Sequence, residues 1–109
     1  MEQNKDAEIY RYTISLATQM GIKQGELLLS VIGNRIGGMM DILGERQGCI
    51  GEQKPDGSCT LLGQLKTKRS VFDYTATGRF DQDSILLDLK YKYGVFRLTG
   101  RRMAKSDAG

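Results

Sequence analysis

Between Val71 and Gly100 apolar and polar residues alternate almost without a break, reading VFDYTATGRFDQDSILLDLKYKYGVFRLTG. A period of two is that of a strand with one face buried and the other in water. Taking Asp81-Gln82-Asp83-Ser84 as a turn sets Phe80 opposite Ile85, Gly78 opposite Leu87, Ala76 opposite Leu89 and Tyr74 opposite Tyr91. Taking Tyr93-Gly94 as a two-residue turn sets Lys92 opposite Val95, Tyr91 opposite Phe96, Leu89 opposite Leu98 and Leu87 opposite Gly100. One face is then apolar across three strands. The other carries Lys90 beside Arg97, Asp88 beside Thr99, Thr75 opposite Lys90 and Asp73 opposite Lys92.

The same period runs through the first half of the chain. Ile9 to Thr18 alternates, with Tyr10, Tyr12, Ile14 and Leu16 on one side. A turn at Met20-Gly21 predicts Leu16 opposite Gly25, Ile14 opposite Leu27, Tyr12 opposite Leu29 and Tyr10 opposite Val31. Gly33-Asn34 is a second hairpin signal, since both residue types tolerate positive φ. It pairs Val31 with Ile36, Leu29 with Gly38 and Leu27 with Met40. After a glycine turn near Gly44, Gln47 to Gln53 reads as a glycine-rich strand. Lys54-Pro55-Asp56-Gly57 reads as a type I turn with a glycine for a bulge, followed by Cys59, Leu61, Gly63 and Leu65 at alternate positions. Thr67-Lys68-Arg69 forms a basic loop.

The count is about eight strands with short turns and no helical pattern between them. The fold class expected is all-β, an antiparallel up-and-down (meander) β-barrel. At 109 residues the chain makes one domain, with an ordered core over about residues 8–102 and polar tails at both ends. The hydrophobic fraction of 39% and charged fraction of 27% are those of a globular protein, and no apolar run reaches the ~20 residues of a membrane-spanning helix. No membrane association is expected. Met1 to Glu8 has no apolar core of a signal peptide, so a cytoplasmic location is expected.

Taken together, the pattern from Ile9 to Arg102 resembles the calycin-like barrels, which include lipocalins, fatty-acid-binding proteins and avidins. The succession Asp56-Gly57-Ser58-Cys59, Tyr74-Thr75-Ala76-Thr77-Gly78 and Leu98-Thr99-Gly100 is also similar to that of a group of small bacterial proteins. The chain departs from lipocalins and avidins in having no tryptophan, so no family binding residue carries over and biotin binding is not implied.

The inner face carries the candidate chemistry. Tyr10, Tyr12, Tyr74 and Tyr91 point inward with several glycines, so large and small residues alternate inside. Either the glycines leave a cavity, with tyrosine hydroxyls and Leu29, Met40 and Leu89 lining a site for a small, largely apolar ligand, or each ring covers a glycine and the barrel is solid. With no histidine and no inward charge except Lys23 and Arg102 at the rims, general acid–base chemistry lacks its usual groups. A barrel enzyme of the cyclase or isomerase kind is the alternative, with tyrosine as acid. Cys49 and Cys59 are too few for a zinc site and out of register for a disulfide. No metal or cofactor is expected.

On the outer face Leu28 sits opposite Met39, with Ile32 and Leu43 nearby; this is either a homo-oligomer contact or a set of scattered surface hydrophobes. Lys90, Lys92, Arg97 and Arg79 share the outer face of the final strands, with Lys66, Lys68, Arg69, Arg101 and Arg102 nearer its ends. Such a face attracts phosphate, but the tyrosines point inward, leaving no stacking platform, and Asp73 and Asp88 interrupt it. A solvated face is the expectation, and nucleic acid is not the expected partner.

Overall fold

The computed structural model describes residues 7–103. It contains β1 (Glu8–Thr18), β2 (Gly21–Ile32), β3 (Arg35–Ile42), β4 (Glu45–Gln53), β5 (Ser58–Lys66), β6 (Val71–Phe80), β7 (Ser84–Tyr91) and β8 (Gly94–Arg102). Each strand pairs antiparallel with the next, and β8 pairs back onto β1, so the sheet closes and keeps no free edge. The all-β meander barrel read from the alternation is the observed architecture. The polar tails lie outside the described residues. No helix of the described residues is long and apolar enough to cross a membrane.

Short polar side chains fix several turns by taking over backbone partners. Thr18 Oγ1 accepts from the Met20 N–H and donates to the Gly21 carbonyl. Asp81 Oδ1 accepts from the N–H groups of Asp83 and Ser84, and Thr67 Oγ1 from those of Arg69 and Ser70. Lys54 and Gly57 close the expected type I turn, with the Gly57 N–H donating to the Lys54 carbonyl at 2.9 Å.

Pairing follows the sequence reading between β2 and β3, where Val31 faces Ile36 and Leu27 faces Met40, and between β6 and β7 from Tyr74–Tyr91 to Phe80–Ile85. Two hairpins are slipped by two residues. In β1–β2, Ile14 faces Gly25, Tyr12 faces Leu27 and Tyr10 faces Leu29. In β7–β8, Leu89 faces Phe96, Leu87 faces Leu98 and Ile85 faces Gly100. Both slips have one cause: the turns are Gln19-Met20 and Lys92-Tyr93, and the glycine follows the turn instead of belonging to it. Gly21 and Gly94 open the returning strands at φ of +108° and +152°, in the manner of a bulged hairpin whose turn residues keep negative φ.

A slip of two keeps every side chain on its face. It changes the neighbours. Asp88 now faces Arg97, with an N–O distance of 3.0 Å, and not Thr99. Lys92 leaves the ladder for the turn, and Asp73 accepts instead from Gln64 Nε2 at 3.0 Å. β4 also starts at Glu45, two residues ahead of the expected Gln47, because Leu43 and Gly44 both take positive φ and close a two-residue primed turn.

One apolar cluster occupies the interior, with Tyr12, Ile14, Leu16, Leu29, Leu61, Leu87, Leu89 and Leu98 fully buried. Eight strands enclose about the width that side chains fill. Interior glycines are notches already occupied by neighbours: a Cβ on Gly38 would lie 2.7 Å from Leu29 Cδ2, and one on Gly100 would lie 2.8 Å from Ile14 Cγ2. The polarity is apolar within and charged without, the reverse of a lipid-facing barrel.

Candidate functional site

The inward tyrosines divide between the two ends of the barrel. Tyr10 is half-buried at the end that carries the β6–β7 turn; it stacks on Tyr12 at 6.4 Å and meets Phe80 edge-on at 5.1 Å. The Tyr12 hydroxyl donates to the Asp81 carbonyl, tying β1 to that turn. Tyr91 lies at the other end against Phe96 at 4.7 Å and Phe72 at 5.5 Å. Tyr74 faces Tyr91 across the ladder, and its ring end fills the notch at Gly63, where a Cβ would come within 2.7 Å of the hydroxyl. Leu29, Met40 and Leu89 are buried between these ends. The seven candidate residues therefore line one packed interior without converging on a common point.

Burial sets the chemistry of this interior. It pushes the Tyr12 and Tyr74 hydroxyls well above the ordinary tyrosine range. It likewise pushes the thiols of Cys49 and Cys59 up to about 11, which keeps both protonated and weakly nucleophilic at neutral pH. Cys59 faces Gln53 and Cys49 faces Gly63, four rungs apart in register, and both are free. Among the described residues no group of three or more carboxylates and thiols is placed to hold a metal ion.

Gln47, absent from the sequence-based candidates, is the buried polar side chain of the core, 2% exposed. The β4–β5 ladder stops at Cys49–Gly63, and beyond it the Gln47 amide takes the place of backbone pairing. Its Oε1 accepts from the Lys66 N–H at 2.7 Å, while Nε2 donates to the Ile42 carbonyl at 3.3 Å. Its inward position two residues before Cys49 was the signal available in sequence. The role is a brace across a splayed strand pair.

Outside, the exposed apolar face is broader than its expected members. Leu28 and Met39 face one another across β2–β3, and Ile32 is exposed near one end. Leu43 stands apart from them, in the β3–β4 turn at the far end, and packs against the core. Ile50, 66% exposed, and Leu62, 49% exposed, extend the face across β4–β5. With Arg35, Glu52 and Thr60 they border a groove of about 530 Å³. Gly48 and Gly51 on either side of Ile50 blur its place in the alternation of β4.

The fold and its faces define the class: a closed, eight-stranded, antiparallel up-and-down β-barrel, consistent with a calycin-like fold. Comparison with protein-family models and with curated proteins finds no match.

Proposed function

We propose that the protein is a binding module that works as a two-fold dimer through the outer ridge of β3 and β4. The observation that carries this reading is the set of outward pairs across that ridge. Arg35 faces Glu52, Gly37 faces Ile50, Met39 faces Gly48 and Asp41 faces Arg46. Each pair is complementary, two in charge and two in size. A two-fold axis running between the strands and parallel to them lays every residue against the second copy's version of its own cross-strand neighbour. Arg35 then meets Glu52 of the second copy, and each Ile50 enters the hollow over the other copy's Gly37, where nothing lies within 4 Å of a built Cβ.

Ile32, Met39, Ile50 and Leu62 present roughly 400 Å² of apolar surface, the scale of patch that marks an interaction site. A standard interface takes ~800 Å² from each subunit, the balance being a polar rim of the kind that Arg35, Glu52, Lys54 and Thr60 supply. Sedimentation velocity over a concentration series tests the reading. The natural chain should sediment as a dimer, and Ile50→Lys as a folded monomer. Arg35→Glu should weaken association, and Arg35→Glu combined with Glu52→Arg should restore it. A natural chain that stays monomeric at high concentration, or a charge swap no better than its single change, sinks the proposal.

A second reading places a small apolar ligand inside, among Tyr12, Tyr74, Leu29, Met40 and Leu89. It draws on Tyr74, which is 6% exposed and whose hydroxyl makes no hydrogen bond to another described residue. A ligand acceptor would satisfy that hydroxyl. Native mass spectrometry of gently purified protein tests it: a reproducible added mass that Tyr74→Phe reduces supports this reading, and the bare chain mass removes it.

A further inference from the structure

The end of the barrel that carries the β5–β6 and β7–β8 turns combines two features that the sequence reading kept apart. The first is an exposed aromatic ring. Because the β7–β8 turn is Lys92-Tyr93, Tyr93 stands at its tip, 65% exposed. The ring is held in place: Phe72 and Tyr91 meet it edge-on at 6.0 and 5.9 Å, with planes at 85° and 76°. Edge-to-face contacts of this kind fix the ring, and its exposure leaves surface free for a further contact. Lys92 Nζ lies over one face of the ring, 5.4 Å from its centre, on a flexible side chain.

The second feature is positive charge around that ring. Lys66 closes β5 opposite Val71, the neighbour of Phe72. Lys68 and Arg69 are exposed in the turn that follows. Lys90 stands on the outer face of β7 between Thr75 and Val95. Among the described residues none of these four, nor Lys92, makes an ion pair. The two carboxylates of this quarter are engaged elsewhere, Asp88 with Arg97 at 3.0 Å and Asp73 with Gln64 at 3.0 Å. The negative charges that interrupted the basic face in sequence are thus partly neutralised or satisfied within the sheet.

A rigid exposed ring beside five cations free of ion pairs matches the two needs of an unpaired nucleotide chain, a face for a base and charge for its phosphates. We infer that this rim binds single-stranded nucleic acid, with a base stacked on Tyr93 and the backbone running along Lys66, Lys68, Arg69, Lys90 and Lys92. Tyr93 stands at the β7–β8 turn, across the closed barrel from β3 and β4, and the site shares no residue with the dimer ridge, so it stands whether or not the chain dimerises.

The test is fluorescence anisotropy of the full chain with labelled oligo-dT and oligo-U of about 12 nucleotides, within the span of a single small-barrel site. Both arms are read at 50 and 200 mM salt. With about four phosphates engaged, affinity should fall about 50-fold between those salt concentrations. Tyr93→Ala should weaken binding about tenfold or more with the salt slope unchanged, whereas Tyr93→Phe should retain it, because the ring supplies the stacking face. Lys68→Glu with Arg69→Glu should flatten the slope of log affinity against log salt by about 1.4. A duplex of equal length should bind at least tenfold more weakly than the single strand. Tighter binding of oligo-U than oligo-dT assigns RNA as the natural ligand, and the converse assigns DNA. No binding at 50 mM salt, or binding that Tyr93→Ala leaves unchanged, overturns the inference.

Discussion

Gly63→Ala measures whether the interior is as full as the geometry indicates. The added methyl would sit 2.7 Å from the Tyr74 hydroxyl oxygen, 2.9 Å from Cζ and 3.1 Å from the Gly48 carbonyl oxygen. Carbon contacts settle near 3.5–4.0 Å, so the ring must retreat by ~0.7 Å or more. Tyr74 is buried and flanked by core side chains, which makes that retreat an overpacking cost of about 1–3 kcal/mol. Against it stands a gain of roughly 0.5–1 kcal/mol from replacing glycine by alanine in a strand. The net loss is about 1–2 kcal/mol, and in a domain of this size it lowers Tm by roughly 5–10 °C.

Thermal unfolding followed by circular dichroism, with a urea titration alongside, reads this effect. Tyr74→Phe removes the nearest atom, and since that hydroxyl has no partner it should leave stability equal or raise it by up to ~1 kcal/mol. In the double variant Tyr74→Phe should recover a further ~1 kcal/mol beyond additivity. A Tm for Gly63→Ala equal to or above that of the natural chain would show that the ring swings into empty space. The reasoning from a filled barrel would then be wrong.

Two other changes probe the interior. Gln47→Leu should cost about 1–3 kcal/mol in urea denaturation, because the Lys66 N–H loses its partner beside the core; unchanged stability would remove the brace. Cys49 and Cys59, ordinarily near 9.0, are held up to about 11 by burial, so the unfolded chain gives up these protons first as pH rises. Their contribution is complete below pH 9 and is lost between pH 9 and 11. Tm should therefore fall across that interval, and fall less in the Cys49→Ala, Cys59→Ala double variant; equal slopes would show that the thiols do not carry the effect.

The alternation along this chain determined which residues face inward and how many strands there are, because the direction of a side chain on a strand is a local property. Turn chemistry written into a few residues added some of the pairing. Gly33-Asn34, Lys54-Pro55-Asp56-Gly57 and Asp81 with Ser84 each placed its hairpin correctly. Alternation is blind to a slip of two, since the apolar set returns to the same face. Met20-Gly21 and Tyr93-Gly94 therefore left the choice between glycine inside the turn and glycine just after it to the folded backbone.

The candidate site divides in the same way. That Tyr12, Tyr74, Leu29, Met40 and Leu89 are buried was legible from their alternate positions. Their mutual distances depend on the pairing of β1 with β8, which joins the two ends of the chain and has no local signal. The same long-range geometry splays β4 from β5 and assigns Gln47 to the gap, stands Tyr93 out from the β7–β8 turn, and sets Ile50 beside Gly37 on the ridge. The period of the strand determined the face of each residue. Closure of the barrel decided its neighbours, because contacts across a sheet depend on register and stagger that no single strand contains.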